Sequence, residues 1–443
     1  MSDTPICDFV RDYAQKGPAR LHMPGHKGVP FLGCETLDIT EIDGADDLYA
    51  PQGIIAESEA IAGERFGCDT YYSAEGSSLC IRAMLFLAGR LSGRSTVLAQ
   101  RSAHKAFLYA AALLDLDVRW LHPHAQDTYH SCTVTAQDVE AALKTVSPCA
   151  VYLTSPDYLG GMTDVAAVAE VCHRHGVQLL VDNAHGAYLH FLARPQHPMD
   201  LGADLCCDSA HKTLPVLTGG AYLHVRAHSA VDARQVKEAL ALFGSTSPSY
   251  LILQSLDRAN AYLRDYPDRL ALFLPRLDAL RSALRGRGFA LYGSEPLKLT
   301  VRAKAYGYTG DTLARILLEQ QIVCEMHDPD FLVCMFTPEN TADDLRRLSA
   351  ALEAIPRRTP SDDVPPAYHP LPSVLSVRQA LFAPRETLPV RDCVGRIMAS
   401  AAVSCPPAVP VVLCGERLDR EAVRRLEYYG VQTCAVVREN LHI

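Results

Sequence analysis

The sequence predicts an α/β fold in which a mostly parallel central sheet is covered by helices. Between about residues 54 and 225, short apolar runs alternate with segments of helical periodicity. Runs such as Gln178–Val181 are apolar on both faces, as expected of strands buried between two helical layers. Polar side chains follow several of these runs directly, and parallel sheets bind ligands at the carboxyl ends of their strands. We therefore expect the functional residues at those ends.

The elements of this α/β region are predicted in order from their periodicity and from the turn residues between them. The first is a helix over residues 54–66, and Gly67 ends it because glycine readily adopts the left-handed conformation of a helix C-cap. Further helices are expected at 79–88, 104–114, 136–146 and 165–173, and strands at 70–72, 96–99, 118–121, 150–154, 178–181, 203–207 and 221–225.

The length of 443 residues requires more than one domain, and composition changes divide the chain into five segments. Prolines concentrate between Pro356 and Pro372, which is typical of a linker. The predicted segments are an N-terminal arm (1–53), a large cofactor-binding domain (54–286), a smaller α/β domain (287–355), the linker (356–372) and a C-terminal module (373–443).

The outer segments carry weaker signals than the large domain. The arm has few periodic residues, and Pro24 and Gly25 exclude a helix there, so His22 and His26 do not form a helical metal pair and no metal site is predicted. Elsewhere, residues 231–286 should be largely helical with a break at 245–250. Strands are expected at 298–301, 331–336 and 409–415, and helices at 312–319 and 342–354, while residues 377–382 begin the C-terminal module.

The composition excludes several classes of protein. A net charge of −9 without any basic run argues against a nucleic-acid or anionic-membrane partner. The 15 cysteines are scattered through apolar runs and form no C-x-x-C pair, which indicates reduced core thiols. The N-terminus lacks the layout of a signal peptide, and no apolar stretch approaches the length of a membrane span. We expect a cytoplasmic protein.

Lys212 is the most unusual residue of the predicted sheet. It lies on a turn between two buried runs, with Ser209 and His211 beside it and Gly219 and Gly220 behind it. Lysines prefer solvent, and one held among buried strands usually serves chemistry; the alternative is a surface lysine on a loop. The two glycines would let the backbone turn sharply. The hypothesis is that Lys212 forms a Schiff base with pyridoxal phosphate.

Two other strand ends carry groups that this cofactor needs. Gly76, Ser77 and Ser78 begin a helix after a strand, where free backbone N–H groups suit a phosphate, although serine there is usually only an N-cap. Asp182 ends a buried strand, where a carboxylate is costly unless it meets a cation or donors. It could keep a pyridine nitrogen protonated, and the alternatives are an N-cap or a metal ligand.

His104 is a further candidate, because it could stack on the ring face or simply cap the helix that it begins. Phosphate cradle, aromatic ring, acid and lysine occur in that order along the chain, each at a strand end. Each signal is modest by itself, and their conjunction favours a pyridoxal-phosphate site.

These motifs resemble the bacterial ornithine/lysine/arginine decarboxylases, which are fold-type-I pyridoxal-phosphate enzymes. The resemblance covers nearly the whole chain, and its most specific motifs are Ser-x-His-Lys at Ser209–Lys212 and Asp-x-Ala-His-Gly at Asp182–Gly186. The other matching segments are His22–Gly28, Asp46–Leu48, Gly76–Ser78, His104–Lys105, Gly395–Met398, Pro406–Pro410 and Gly415–Glu416.

The resemblance implies a role for each matching residue. Lys212 would form the internal aldimine, Asp182 would pair with the pyridine nitrogen, and His104 would stack on the ring. His185 would lie close to the ring. The residues implied around the phosphate are Gly76, Ser77, Ser78, Ser209 and His211.

The implied activity is decarboxylation of arginine, lysine or ornithine to agmatine, cadaverine or putrescine, as in polyamine biosynthesis, by a homodimer or higher homo-oligomer. A cationic substrate side chain needs an acidic partner, and Asp46, Asp47 and Glu416 could supply it from the same or a second subunit. Ordinary solvated acids are the equal alternative. An aminotransferase or lyase on the same scaffold also stays open, as does an inactive homologue, against which intact Lys212 and Asp182 argue.

The sequence departs from the family pattern at a few positions. The family usually has Glu where Asn183 stands, and often Gly or a smaller residue where Leu79 stands. Its Pro-Pro-Gly and Pro-Gly-Glu appear as Pro406–Ala408 and Cys414–Glu416. The chain begins close to the His22 motif, so a compact form without the N-terminal receiver-like domain is expected. These departures leave the cofactor residues intact and bear on substrate and assembly.

Overall fold

The computed structural model describes residues 2–124, 128–401 and 409–439. The chain divides into two compact units. The first comprises residues 1–94, 149–152 and 165–270, and the second comprises residues 95–148, 153–164 and 271–443.

The helices of the described residues follow the predicted order closely. The predicted helix at 54–66 and the break near 245–250 are both confirmed, and residues 377–382, for which no structure was predicted, form a helix. The bounds are α1 Pro5–Lys16, α2 Ile54–Phe66, α3 Ser77–Ser92, α4 Lys105–Leu113, α5 Ala136–Leu143, α6 Val165–Arg174, α7 Ala210–Thr213, α8 Ala233–Phe243, α9 Tyr250–Tyr262, α10 Tyr266–Gly286, α11 Gly310–Glu319, α12 Ala342–Glu353, α13 Val377–Phe382 and α14 Arg420–Tyr428.

The strands of the large domain also lie where the apolar runs predicted them, within two residues at each end. Short strands that the sequence did not indicate occur towards the C-terminus. The bounds are β1 Asp69–Ser73, β2 Thr96–Gln100, β3 Asp117–Leu121, β4 Ala150–Thr154, β5 Gln178–Asp182, β6 Leu205–Asp208, β7 Ala221–Val225, β8 Leu291–Tyr292, β9 Lys298–Arg302, β10 Met326–His327, β11 Phe331–Met335, β12 Arg385–Pro389 and β13 Thr433–Val437.

Helix α1 lies in the arm for which the sequence predicted little regular structure, so that prediction was wrong over Pro5–Lys16. Pro5 occupies the first turn, where a missing N–H costs nothing, and Gly17 ends the helix with a φ of 57°. Ile6 and Val10 are buried one turn apart. A proline start, a glycine stop and this short apolar stripe were the available signals. The non-helical backbone predicted around Pro24 is confirmed.

The predicted central sheet is confirmed as seven strands in the order β1-β7-β6-β5-β4-β2-β3. Pairs β2–β3 and β5–β6 are parallel, whereas β7 is antiparallel to both of its neighbours. The register places Asp182 opposite Cys207, one residue before the end of β6. Because β5 and β6 run in the same direction, the loops that follow them begin at one edge of the sheet.

The second unit also contains a four-stranded antiparallel sheet in the order β10-β11-β9-β8. The predicted strands near 298 and 331 are its central pair, and the helices predicted after each of them are confirmed as α11 and α12. Its buried core includes Leu159, Met326, Phe331 and Val333.

The C-terminal module packs β12, β13 and α14 around a core that includes Met398, Leu418 and Leu426. The strand predicted at 409–415 is wrong, because no strand forms within those residues. Pro410 lacks the N–H that a ladder needs, and its carbonyl accepts a hydrogen bond from Arg101 instead. Pro406–Ala408, part of one family motif, lies outside the described residues.

The remaining global expectations concern cysteines and membranes. Every cysteine within the described residues is a free thiol. In the part of the chain that the structure describes, no helix has both the length and the apolar character that crossing a membrane requires.

Candidate active site

Lys212 lies in α7, a single helical turn that follows β6 directly. Its Nζ is 3.0 Å from Nε2 of His185, which belongs to the loop after β5. The lysine is half-buried, and His185 is buried. A hydrogen bond between an amine and an imidazole nitrogen holds the amine in one place and gives its proton a second site. The structure thus brings together two residues that lie 27 positions apart in the chain.

Asp182 ends β5 as predicted and is 2% exposed. Its Oδ2 accepts a hydrogen bond from the Tyr152 hydroxyl at 3.2 Å, and its Oδ1 accepts one from the Ala184 amide at 3.2 Å. Burial raises the pKa of this carboxyl, and the charge of Lys212 opposes the rise. A cation facing Asp182 would lower the cost of keeping it ionised.

The predicted phosphate cradle lies at the start of α3. Gly76 has a φ of 73°, and its amide donates to the Gly219 carbonyl at 2.6 Å, so the two glycine turns meet. Gly219 itself has a φ of 100°, which confirms the sharp turn predicted there. The Ser209 hydroxyl donates to that of Ser77 at 2.8 Å. Within the described residues no side chain caps α3, and its first amides suit an anion.

His211 contacts the second glycine of the turn. Its Nδ1 lies 3.0 Å from the Gly220 carbonyl oxygen, which can only accept, so Nδ1 carries a proton. Burial lowers the pKa of His211, the bond to Gly220 opposes this, and the charge of Lys212 adds to the lowering. An anionic group beside this imidazole would favour its protonated form.

His104 belongs to the second unit and is the N-cap of α4, where its Nδ1 accepts the Ala106 amide at 3.1 Å. The capping alternative is therefore confirmed. Stacking on the cofactor ring stays a prediction.

The carboxylates predicted to meet the substrate have other contacts. Asp46 accepts backbone amides that include those of Gln52 and Gly53 at the start of α2, and these hold its pKa below the usual value although burial opposes them. Asp47 is exposed and accepts the Tyr49 amide at 2.8 Å. A substrate role for Asp46 and Asp47 stays a prediction.

Glu416, the third of these carboxylates, belongs to the second unit. It is 3% exposed, and its Oε2 lies 3.7 Å from Arg101 Nη2 and accepts the Leu413 amide at 2.7 Å. Burial raises its pKa, and Arg101 opposes the rise. Glu416 thus has a cationic partner within its own unit, and contact with substrate stays a prediction.

Two residues at this site carried no predicted role. Tyr152 is the tyrosine of β4. A tyrosine inside an otherwise apolar, buried strand was the sequence signal that could have indicated its role. Asp208 is wholly buried at the end of β6 and accepts a hydrogen bond from the Asn183 amide at 2.6 Å. A charged residue that ends a buried strand was its signal, as it was for Asp182.

Comparison with known proteins identifies the family. The model of the Orn/Lys/Arg decarboxylase major domain matches residues 4–273, and the model of the C-terminal domain of the same family matches residues 375–435. The chain belongs to the Orn/Lys/Arg decarboxylase family. It is therefore a pyridoxal-phosphate-dependent amino-acid decarboxylase, as the resemblance predicted.

Relatives of this decarboxylase match it over nearly its whole length. An arginine decarboxylase of Bacillus subtilis is 30% identical over 95% of this chain and 92% of its own, and one of Halalkalibacterium halodurans is 30% identical over 93% and 90%. The constitutive lysine decarboxylase of Escherichia coli is 20% identical over 98% of this chain and 77% of its own.

Solved structures confirm the predicted fold type. A lysine decarboxylase of Francisella novicida superposes with a TM-score of 0.78 at 16% identity, covering 98% of this chain and 81% of its own. An alanine–glyoxylate aminotransferase of Nostoc superposes with a TM-score of 0.54 at 17% identity, covering 68% of this chain and 85% of its own. These likenesses place the decarboxylase among fold-type-I enzymes.

The residues present fit the cofactor of the family. Pyridoxal phosphate requires an amine, a carboxylate and an anion cradle, and the first unit supplies Lys212, Asp182 and the start of α3. The hydrogen bond between the Ser209 and Ser77 hydroxyls connects the turn that carries Lys212 to the start of α3. The predicted cofactor is therefore in agreement with the chemistry of this unit.

Proposed function

We propose that the enzyme decarboxylates arginine to agmatine, with lysine and ornithine as poorer substrates. The observation that carries the proposal is the hydrogen bond between Lys212 and His185 beside the buried Asp182, in a chain whose 30%-identical relatives are named arginine decarboxylases. We also propose that the enzyme is cytoplasmic and takes part in polyamine biosynthesis.

Each of these side chains has a chemical task in the proposed reaction. Bound pyridoxal phosphate supplies a ring that accepts the electron pair left at Cα when the carboxylate departs. Asp182 would supply the negative charge that keeps the ring nitrogen protonated, and Tyr152 keeps its carboxylate oriented. Ser77, Ser209 and the first amides of α3 would hold the phosphate.

The Lys212–His185 pair handles protons in this proposal. Nζ must lose a proton to act as a nucleophile, and Nε2 of His185 is within reach to accept it. The same two groups are the candidates that return a proton to Cα after carbon dioxide leaves. Both atoms lie in the first unit, so their separation depends on the loops after β5 and β6.

A homodimer is part of the proposal. Apolar side chains of the arm project into solvent, among them Leu21 (95% exposed), Phe31 (78%) and Leu32 (90%). Such a concentration of exposed apolar groups supports burial against a second copy. Sedimentation velocity checks this: the holoenzyme should sediment as a dimer, and Phe31→Ser/Leu32→Ser should shift it towards monomer. A monomeric wild-type enzyme would reject the dimer.

Product analysis tests the reaction itself. The purified protein with pyridoxal phosphate is incubated separately with arginine, lysine and ornithine, and carbon dioxide and the amine product are measured. Arginine should give the highest kcat/KM, and Lys212→Ala should abolish turnover. A higher kcat/KM for lysine or ornithine rejects arginine preference. Absence of carbon dioxide from all three, or consumption of an added keto acid, rejects the decarboxylation proposed here.

A further inference from the structure

Behind the site, one buried carboxylate is hydrogen-bonded to two histidines and an amide. Asp208 Oδ2 lies 3.0 Å from Nε2 of His197 and 3.1 Å from Nε2 of His224, and its Oδ1 accepts the Asn183 side-chain amide at 2.6 Å. Asp208, Asn183 and both histidines are wholly buried. These four residues are called the Asp208 network.

The hydrogen bonds define how protons are shared in the Asp208 network. The Met199 amide donates to Nδ1 of His197, so this nitrogen accepts and Nε2 must donate to Asp208. Nδ1 of His224 lies 2.9 Å from the Thr70 hydroxyl. Every imidazole nitrogen of the Asp208 network therefore has a hydrogen-bond partner.

Asp208 is ionised in this arrangement. Burial works against its charge, but His197 and His224 outweigh burial and hold its pKa well below the usual range. A buried carboxylate with this many donors is rigid, because each donor would be left unsatisfied if the carboxylate moved.

Asn183 connects this carboxylate to the cofactor residues. It follows Asp182 directly, and its backbone amide donates to the Cys207 carbonyl at 2.9 Å while its side chain donates to Asp208. A Cβ at Gly186 would come within 2.0 Å of Asn183 Oδ1, so only glycine leaves room for this side chain. The end of β5, with Asp182, and the loop that carries His185 are thereby joined to the end of β6.

The other end of the connection is the lysine turn. Ser209 follows Asp208 directly and donates to Ser77, and Lys212 lies in the helical turn that Ser209 precedes. We infer that Asp208 is a positioning residue: through Asn183 and Ser209 it sets the separation of Asp182 and Lys212 and contributes fixed negative charge close to the cofactor residues. The inference concerns cofactor binding and is independent of which amino acid is the substrate.

An exchange of the two paired side chains tests this role. Asp208→Asn, Asn183→Asp and the combined Asn183→Asp/Asp208→Asn are compared with the wild type. The measurements are the dissociation constant for pyridoxal phosphate and the pH midpoint of the absorbance band of the bound cofactor. Asn183→Asp alone places two carboxylates side by side, whereas the combined variant restores one amide facing one carboxylate.

The expected pattern is a loss in each single variant and recovery in the combined one. Each single change should weaken binding of pyridoxal phosphate about tenfold, and the combined variant should return to within about threefold of the wild type. Asp208→Asn should also lower the pH midpoint, because the protonated form of the bound cofactor loses a nearby negative charge.

Asp204→Asn is the matched control. Asp204 immediately precedes the same strand, is buried, and has a histidine partner, with its Oδ2 3.2 Å from His173 Nε2. The Asp204→Asn variant should lose thermal stability without any change in its affinity for pyridoxal phosphate or in the pH midpoint of the absorbance band. Equal effects of Asp204→Asn and Asp208→Asn on the cofactor would overturn the inference. So would a combined variant that folds but does not recover binding.

Discussion

Lys212 Nζ lies 3.0 Å from His185 Nε2, although the two residues come from the loops after different strands. If this imidazole shares the protons of the lysine, its loss should affect catalysis more than binding. We expect His185→Gln to lower kcat about 100-fold with KM changed by less than about threefold. Steady-state kinetics with arginine measures both constants.

His190→Gln is the control for this change, because His190 lies in the same unit and its imidazole bonds to Asp200. It should keep wild-type kinetics. A fall in kcat of equal size in both variants, or a rise in KM alone for His185→Gln, would contradict proton handling by His185.

The Tyr152 hydroxyl should stabilise the ionised form of Asp182. Tyr152→Phe removes a donor to a buried carboxylate, a bond worth about 1.5–3 kcal/mol when one partner is charged. The pKa of Asp182, already raised by burial, should rise further. The acid limb of the pH–rate profile should therefore move to higher pH, and affinity for pyridoxal phosphate should fall about tenfold.

Tyr222→Phe is a suitable comparison. Tyr222 is also a buried strand tyrosine, and its hydroxyl has no hydrogen-bond partner among the described residues. That variant should keep the wild-type profile. An unchanged acid limb in Tyr152→Phe would show that the hydroxyl does not act through Asp182.

Asp328 should make stability depend on pH. Burial raises its pKa from 3.8 to about 7, and its Oδ2 has no hydrogen bond within the described residues. The folded form then binds the proton more tightly than the unfolded chain, so its contribution to stability is full below pH 3.8. It is lost as pH rises through about 7.

Asp328→Asn should therefore stabilise the protein at high pH. Asparagine retains the oxygen that accepts the Asp330 and Phe331 amides. We expect the free energy of unfolding in urea to rise by about 2 kcal/mol at pH 8 and much less at pH 5. The exposed Asp362 provides the control, since Asp362→Asn should change neither value. An equal gain for Asp328→Asn at both pH values would reject ionisation as the cause.

Substrate recognition by Asp47 is testable apart from folding. If its exposed carboxylate faces the cationic end of arginine, Asp47→Asn should raise KM about threefold to tenfold with kcat unchanged. Asp43→Asn, an exposed acid of the same segment, should leave KM unchanged. Asp46→Asn should instead lower thermal stability, since Asp46 accepts amides at the start of α2. Equal KM values for the Asp43 and Asp47 variants would remove Asp47 from the substrate site.

Much of the fold and the cofactor residues could be predicted because their signals are local. The apolar runs, the glycine that ends α2 and the groups at the strand ends are all read from neighbouring residues. Lys212 and Asp182 stood out because a charged side chain beside a buried strand is costly in any tertiary arrangement. Helix α1 was missed although its proline and glycine were equally local.

The tertiary structure alone decided which of these groups meet. Asp182 bonds to Tyr152, and Asp208 bonds to His197 and His224. Glu416 lies beside Arg101. These contacts depend on strand order and on the course of long connections, and side-chain periodicity carries information about neither. The sequence by itself predicted the cofactor, because a lysine amine, an aspartate carboxylate and the backbone amides at a helix start suit the same cofactor groups in any fold. The distances through which they act arise only when β5 and β6 become neighbours.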